Sequence, residues 1–318
     1  MQTVLVAGGA GFIGSNICSS LLNQNYKVIC IDNLITGERS NIEEFLSNPN
    51  FSFVEKDINS KEFSVSEKID YMFHLASPAS PNEKSPRSYM AYPIETLLVN
   101  SLGTYNLLEL ARKQNCRFLF ASSSEVYGDP TQSPQSEEYF GNVNPNGPRS
   151  VYDEAKRFGE AITFAYLRKY DLDVRIVRIF NTYGPKMRAD DGRVVSNFIN
   201  QALSGAPLTI YGDGKQTRSF CYISDMVSGL ESAMFTKESK GEVINLGNPD
   251  ERTIIDFANL IKMLTGSDSE IKFAEKLPID DPHRRCPDIQ KAKKQLLWEP
   301  KVELSEGIRK TIEYFKSL

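Results

Sequence analysis

Tyr152 and Lys156 stand four residues apart, and Ser124 and Glu125 stand side by side at the end of an earlier segment. Four residues along a helix is a rotation of about 40° and a rise of about 6 Å, so both side chains of a Tyr-x-x-x-Lys pair project from one face and reach one substrate. A tyrosine phenol, with a reference pKa of about 10, works as a base near pH 7 only if its anion is favoured by roughly 4 kcal/mol. A neighbouring ammonium is a source of that stabilisation. The set describes redox chemistry with an extra acid, Glu125. The same spacing is also that of an ordinary amphipathic helix pair, and the segment upstream is what separates the two readings.

That segment is Gly8-x-x-Gly11-x-x-Gly14, placed directly after the run Thr3-Val4-Leu5-Val6-Ala7 and at the opening of a helix. In that position a glycine-rich turn lets a pyrophosphate approach backbone N–H groups and the helix N-terminus. Asp32 ends the next strand-like run, where a carboxylate takes ribose hydroxyls. It would repel a ribose 2′-phosphate, and Asn33 brings no cation to recruit one, so NAD is expected rather than NADP; Arg39 reads as a solvated loop charge. Asp57, after the third run, could meet the adenine edge or cap a turn. The stretch His74-Leu75-Ala76-Ser77-Pro78-Ala79-Ser80 supplies the small residues that a backbone passing close to a flat cofactor needs. His74 itself reads as a hydrogen-bonded structural group.

These residues need a scaffold, and the first half of the chain spells one out. Short β-branched runs at 4–7, 27–31, 51–54, 71–75, 118–122 and 174–179 alternate with helical segments at 14–23, 94–114 and 151–169. The expectation is an α/β fold, a Rossmann-like doubly wound parallel sheet. After about Phe180, prolines and glycines punctuate shorter elements, which predicts a smaller interleaved α/β substrate-binding region. Helices are expected over 194–203 and 224–235, a further strand over 243–246, and a loop over 277–287. The domain reading is a cofactor domain over 1–180, rejoined by 217–247, with a nucleotide-sugar region formed by 181–216 and 248–318.

Composition narrows the class. Of 318 residues, 40% are hydrophobic and 25% charged, as in a soluble globular protein, and a net charge of −4 offers no attraction for nucleic acid. The chain starts in a strand without a basic leader and has no apolar stretch of about 18 residues, so no membrane partner and a cytoplasmic location are expected. Five cysteines without C-x-x-C spacing suit reduced thiols. With only His74 and His283, a histidine metal site or a Ser-His-Asp relay has little to work with, and no metal is expected.

The fingerprint and the Ser124, Tyr152, Lys156 set resemble the extended short-chain dehydrogenase/reductases that act on nucleotide sugars. Within that group, Ser123-Ser124-Glu125-Val126-Tyr127-Gly128-Asp129-Pro130, Asn144-Pro145-x-Gly147-Pro148-Arg149, Tyr152-Asp153-Glu154-x-Lys156-Arg157 and Arg178-Ile179-Phe180-Asn181-Thr182-Tyr183-Gly184-Pro185 are similar to the UDP-glucuronate decarboxylases. The likeness runs on through Asp191-Gly192-Arg193, Gly212-Asp213-Gly214, Thr217-Arg218-Ser219-Phe220, Asp280-Asp281-Pro282 and Arg285-x-Pro287-Asp288, nearly the whole chain.

The resemblance implies NAD-dependent decarboxylation of UDP-glucuronate to UDP-xylose through a 4-keto sugar. Tyr152 would take the C4 hydroxyl proton, Lys156 would lower its pKa and hold the nicotinamide ribose, and Ser124 would hydrogen-bond the same oxygen. Arg285 would meet the substrate carboxylate or the enolate, with Arg284 a bystander, and Glu125 would act near C5. The cofactor set extends to Phe12, Ile13, Thr36, Gly37, Ile58, Asn100 and Ser122. For the nucleotide, the resemblance points to Asn181, Arg218, Arg193, Lys186 and Tyr211, with a bridge from Arg218 to Asp213 or Asp225 as the structural alternative. It also implies a homodimer built by pairing the helices of 94–114 and 151–169 into a four-helix bundle.

A 4,6-dehydratase would need a second acid where Ser124 stands, and a 4-epimerase needs neither Glu125 nor Arg285. A non-catalytic NAD-binding scaffold has no use for Tyr152 and Lys156 together. Two positions depart from the pattern: Ser123 replaces the usual threonine, and the stretch 82–92 is long and charged, leaving Tyr89, Tyr92, Lys84 and Arg87 as alternative contacts for the sugar end.

Overall fold

Val4, Leu5, Val6 and Ala7 are all fully buried, as a strand covered on both faces requires. The computed structural model describes residues 1–60, 63–83, 85–274 and 279–318. The first half runs β1 (Thr3–Ala7), α1 (Phe12–Asn23), β2 (Lys27–Asp32), β3 (Phe51–Glu55), β4 (Tyr71–His74), α2 (Pro93–Leu98), α3 (Thr104–Gln114), β5 (Arg117–Ser123), α4 (Ser150–Tyr170) and β6 (Val174–Ile179). Then come β7 (Thr182–Tyr183), α5 (Val194–Leu203), β8 (Leu208–Tyr211), β9 (Thr217–Ser219), β10 (Cys221–Tyr222), α6 (Ile223–Phe235), β11 (Val243–Leu246), β12 (Glu251–Thr253), α7 (Ile254–Thr265), β13 (Ile271–Ala274), β14 (Arg284–Arg285), α8 (Gln290–Leu296) and α9 (Leu304–Lys316).

Seven strands form one parallel sheet in the order β11-β6-β5-β4-β1-β2-β3. The order reverses between β1 and β4, and a doubly wound sheet opens a crevice for ligands at the carboxyl ends of its strands at such a point. Val4, Val6 and Phe73 feed the core on one face, while Leu5, Ala7, Phe118 and Phe120 feed the other. The expected strand at 243–246 does pair with β6, Asn245 opposite Arg178.

Two expectations need correction. The segment 94–114 is a helix interrupted by one wide turn at Val99–Gly103, a π-type insertion. A π-bulge adds a residue to the helix and is common at functional sites; here it carries Asn100. The described part of the expected 277–287 loop is also not all loop, because Arg284 and Arg285 form β14 alongside Thr217 and Arg218 of β9. Residues 277 and 278 lie outside the described residues.

Candidate active site

The turn after β1 is shaped by its glycines. Gly8 has φ +82°, and a Cβ on Gly14 would sit 2.1 Å from the Gly8 carbonyl oxygen, so helix α1 packs against the turn only with glycine there. Gly11 is different: its nearest neighbour is 3.3 Å away, and it faces a cleft lined by Gly8, Asp32, Asn33, Thr36, Gly37, Asp57, Ile58, Leu75, Ala76 and Ser77. Ile31, Ile35, Lys56, Asn59, Pro78, Glu95 and Val99 complete the wall without having been singled out. Asp32 is fixed by backbone donors, Ala10 N at 3.0 Å and Leu34 N at 2.9 Å, while its burial raises its pKa above the ordinary value. Arg39 is held away, paired with Glu55 at 4.0 Å and lying over Phe53. A buried carboxylate at the strand end and a glycine turn open to the cleft fit a dinucleotide with a free 2′-hydroxyl.

Several cofactor candidates have other duties. Asp57 accepts from Asn59 N at 2.8 Å, which is turn capping, and from Asn33 Nδ2 at 3.3 Å, yet it still borders the cleft. Asn100 donates to Ser77 Oγ at 2.9 Å and to Thr96 O, which places it behind Ser77. Phe12 and Ile13 are half-buried in the first turn of α1. The Ser122 hydroxyl is spent on Glu160 at 2.6 Å, in a network with Arg178, so only its backbone is free to face a ligand. His74 is fully buried against Thr104 at 3.0 Å, and burial drives its imidazole down to about 3, a neutral structural group.

Helix α4 presents Tyr152 and Lys156, both buried, toward the end of β5. Burial pushes the Tyr152 phenol above its ordinary pKa, and the Ser123 hydroxyl, one residue before Ser124, acts to lower it. Side chains alternate along β5 and Ser123 is its last residue, so one step of register decides which serine faces α4. Lys156 Nζ donates to the Ala121 carbonyl at 2.9 Å and lies 5.6 Å from the centre of the Tyr152 ring. Burial brings that ammonium down to about 7, partly offset by Glu160.

Glu125 sits among arginines. It accepts from Arg149 Nη2 at 2.6 Å and from Arg285 Nη2 at 3.2 Å. Arg149 also pairs with Asp281 at 3.1 Å, and Asp281 in turn holds Arg218 at 2.8 Å. Burial alone would raise the Glu125 carboxyl, but Arg149 and Arg285 outweigh it and hold it down at about 2. Arg285 is almost completely buried and also donates to the Ser124 carbonyl. Arg218 thus bridges neither Asp213 nor Asp225, and Arg284 is turned outward to Glu251, as expected of a bystander. Arg149 and Asp281 belong to motifs noted in the sequence but were given no role; they are joined only by the fold, 132 positions apart.

The remaining candidates scatter. Arg193 is paired with Asp191 at 2.5 Å and lies close enough to Tyr152 and Glu125 to feel both charges. Lys186 is tied to Glu44 at 2.6 Å and to the Asn41 carbonyl at 3.0 Å. Asn181 is half-buried after β6, its carbonyl accepting from Cys221 N at 2.9 Å. Tyr211, 39% exposed, ends β8 in the separate two-stranded sheet with β13.

The charged stretch after β4 forms a strap over the site. Tyr89, 1% exposed, stacks on Tyr152 with ring centres 4.9 Å apart and planes at 13°, and its hydroxyl has no partner among the described residues. Arg87 reaches Glu38 at 3.2 Å, and Arg188 takes the same carboxylate at 2.6 Å. Glu38 therefore joins the strap, the loop after Asp32 and the loop before Arg193. Tyr92 caps α2 through its carbonyl, which Thr96 bonds; Lys84 lies outside the described residues.

Residues 4–247 match the NAD dependent epimerase/dehydratase family. The chain belongs to that family. NAD is accordingly the cofactor of this family member, and the protein is an enzyme. It is 50% identical over 315 residues to UDP-glucuronic acid decarboxylase 1 of Xenopus tropicalis, an alignment covering 99% of this chain and 72% of that protein. UDP-glucuronic acid decarboxylase 6 of Arabidopsis thaliana is 48% identical, over 98% of this chain and 88% of its own. Among solved structures, UDP-glucuronic acid 4-epimerase from Bacillus cereus, in complex with UDP-glucuronic acid and NAD, superimposes with a TM-score of 0.86 at 31% identity, covering 99% of both chains. UDP-glucose 4-epimerase of Thermotoga maritima gives 0.88 at 32% identity, again over 99% of each. Family members thus share this doubly wound sheet across different sugar chemistries.

Proposed function

We propose that the protein is a UDP-glucuronate decarboxylase that forms UDP-xylose through a UDP-4-keto sugar. The observation that carries this reading is the guanidinium pair Arg149 and Arg285 closing on Glu125 beside Tyr152. Two buried cations at the sugar end suit a substrate whose sugar bears a carboxylate. The curated relatives of the same name, at 47–50% identity, support it.

In this mechanism Tyr152 takes the C4 hydroxyl proton, with Ser123 bonding the phenol and Ser124 beside it. Lys156 supplies positive charge under the ring and holds the nicotinamide ribose. Phe12, Ile13 and Asn100 support the cofactor cleft behind Gly11 and Ser77. Held in this cleft, NAD would supply the hydride acceptor for C4 and, once reduced, the hydride donor, which leaves no net oxidation. The C4 ketone lies β to the carboxylate on C5, so that bond breaks with its electron pair entering an enolate rather than an unsupported carbanion. Arg149 and Arg285 hold the carboxylate, and Glu125, as an anion, orients a proton or water near C5. Arg218, tied through Asp281 to Arg149, takes part in holding the anionic substrate, and Arg193, Asn181 and Tyr211 take the nucleotide diphosphate and base.

The assembly we propose is a homodimer. Ile94, Leu98, Leu102 and Tyr105 along α2 and α3, and Phe158 on the neighbouring α4, are each at least 40% exposed. Pairing these faces between two copies makes a four-helix bundle. Five buried, unpaired cysteines support a reducing, cytoplasmic setting. We assign 1–180 with 217–247 to the cofactor and the rest to the nucleotide sugar.

The test is incubation of the pure protein with UDP-glucuronate and NAD, following CO2 and sugar products by NMR. UDP-xylose with stoichiometric CO2 is expected, and Tyr152→Phe should abolish both while NAD still binds. Conversion of UDP-glucose or UDP-galactose without CO2 from UDP-glucuronate would overturn the reading.

A further inference from the structure

Asp153 is a buried carboxyl that the mechanism above leaves unused. It follows Tyr152 on α4, is 4% exposed, and its Oδ1 has no hydrogen-bond partner among the described residues. One turn earlier, at the N-cap of the same helix, Arg149 Nε is likewise buried without a partner among them. Asp153 also lines a cavity with Asp129, Asn142, Asn144 and Asp280, and the two asparagines are exposed, so protons reach it from solvent.

The charges around it can be counted. The ion-pair chain contains three guanidiniums, Arg149, Arg218 and Arg285, against two carboxylates, Glu125 and Asp281. With Asp153 neutral the cluster carries one positive charge, which matches a sugar carboxylate. With Asp153 ionised that charge is cancelled. Glu125 and Asp280 press it toward the neutral form, while Arg149 and Arg285 oppose them; Tyr89 and Tyr152 also face it. Asp129, across the cavity, is paired with His283.

We infer that Asp153 is a specificity-determining residue that couples binding of the sugar carboxylate to uptake of one proton. The inference rests on the decarboxylase reading. Above about pH 8 it is neutral while the carboxylate occupies Arg149 and Arg285, and it ionises once that charge is gone. Decarboxylation breaks the C5–carboxylate bond, leaves the electron pair in the enolate and consumes one proton at C5, so the carboxylate's negative charge disappears in the step that needs a proton. The substrate and the decarboxylated product are thereby told apart by pH. Burial, ahead of the neighbouring charges, pushes Asp153 up to about 8 in the free protein, which places the effect in an accessible range.

The experiment is calorimetric binding with NAD present, in a Tyr152→Phe background that halts turnover. From pH 7 to pH 9 the dissociation constant of UDP-glucuronate should rise about tenfold, one decade per unit above the free pKa, with proton uptake visible as a buffer-dependent heat. UDP-xylose should show only the pH dependence common to both sugars, so that the ratio of the two dissociation constants changes about tenfold. Lys156, which titrates near 7, acts on both ligands alike and cancels in this comparison. Asp153→Asn should remove the pH dependence for UDP-glucuronate, and Asp153→Glu should restore it. Equal pH dependence for the two sugars, or an unchanged slope in Asp153→Asn, would overturn the inference, and the comparison of sugars decides even if the asparagine variant fails to fold. Failure of the decarboxylase reading is a different result: the unsubstituted enzyme would release no CO2.

Discussion

Replacing Glu125 by glutamine keeps the shape of the side chain and removes the anion between Arg149 and Arg285. In the folded protein that carboxyl is held at about 2, against an ordinary 4.5. A folded pKa below the unfolded one means that the ionised carboxylate stabilises the fold, fully above about 4.5, and that this is lost as pH falls through about 2. The difference corresponds to about 3 kcal/mol at pH 7. At pH 3, between the two values, less than half of it should remain, roughly 1 kcal/mol. Urea unfolding can be followed by the single, buried Trp298, whose indole donates to the Asp225 carbonyl. Glu125→Gln should be less stable than the parent by about 3 kcal/mol at pH 7, with the gap closing toward pH 3. A variant as stable as the parent at pH 7, or a deficit that does not change with pH, would refute the ion-pair account.

Ser123→Ala should cut turnover by about 10- to 100-fold, the worth of one hydrogen bond to a developing phenolate, whereas Ser124→Ala should cost less than about threefold; steady-state kinetics on both variants decides which serine serves Tyr152. Gly14→Ala drives a Cβ to 2.1 Å from the Gly8 carbonyl oxygen and should lower the melting temperature and weaken NAD binding at least tenfold by fluorescence titration, about the 1–3 kcal/mol typical of overpacking. Leu98→Glu places a charge on the apolar face of α2 and should convert the proposed dimer to a monomer in size-exclusion chromatography with light scattering; a parent protein that is already monomeric would remove the bundle.

Much of the sheet was legible because burial on both faces leaves a plain trace in Val4-Leu5-Val6-Ala7 and in its echoes along the chain. Gly8, Gly14 and Asp32 were legible for a related reason: close approach and a strand-end carboxylate are local demands, met by residues near one another in sequence. What stayed hidden was long-range or depended on a single step of register. Whether Ser123 or Ser124 meets Tyr152 turns on where β5 ends. The partnership of Arg149 with Asp281 is made only when the chain folds back over 132 positions. The π-type turn that carries Asn100 leaves no signal in apolar spacing, and the stack of Tyr89 on Tyr152 depends on how a long strap is folded.

Glu38 gives that strap a particular temperament. One carboxylate serves both Arg87 and Arg188, and it is 36% exposed, so neither pairing is worth more than about 1 kcal/mol. A fastening of that strength is comparable with thermal energy and loosens in salt. Salt should therefore release the Arg87–Glu38–Arg188 tie before it touches the stack of Tyr89 on Tyr152 or the seven-stranded sheet, so the strap's outer edge is the part of the site most responsive to ionic strength.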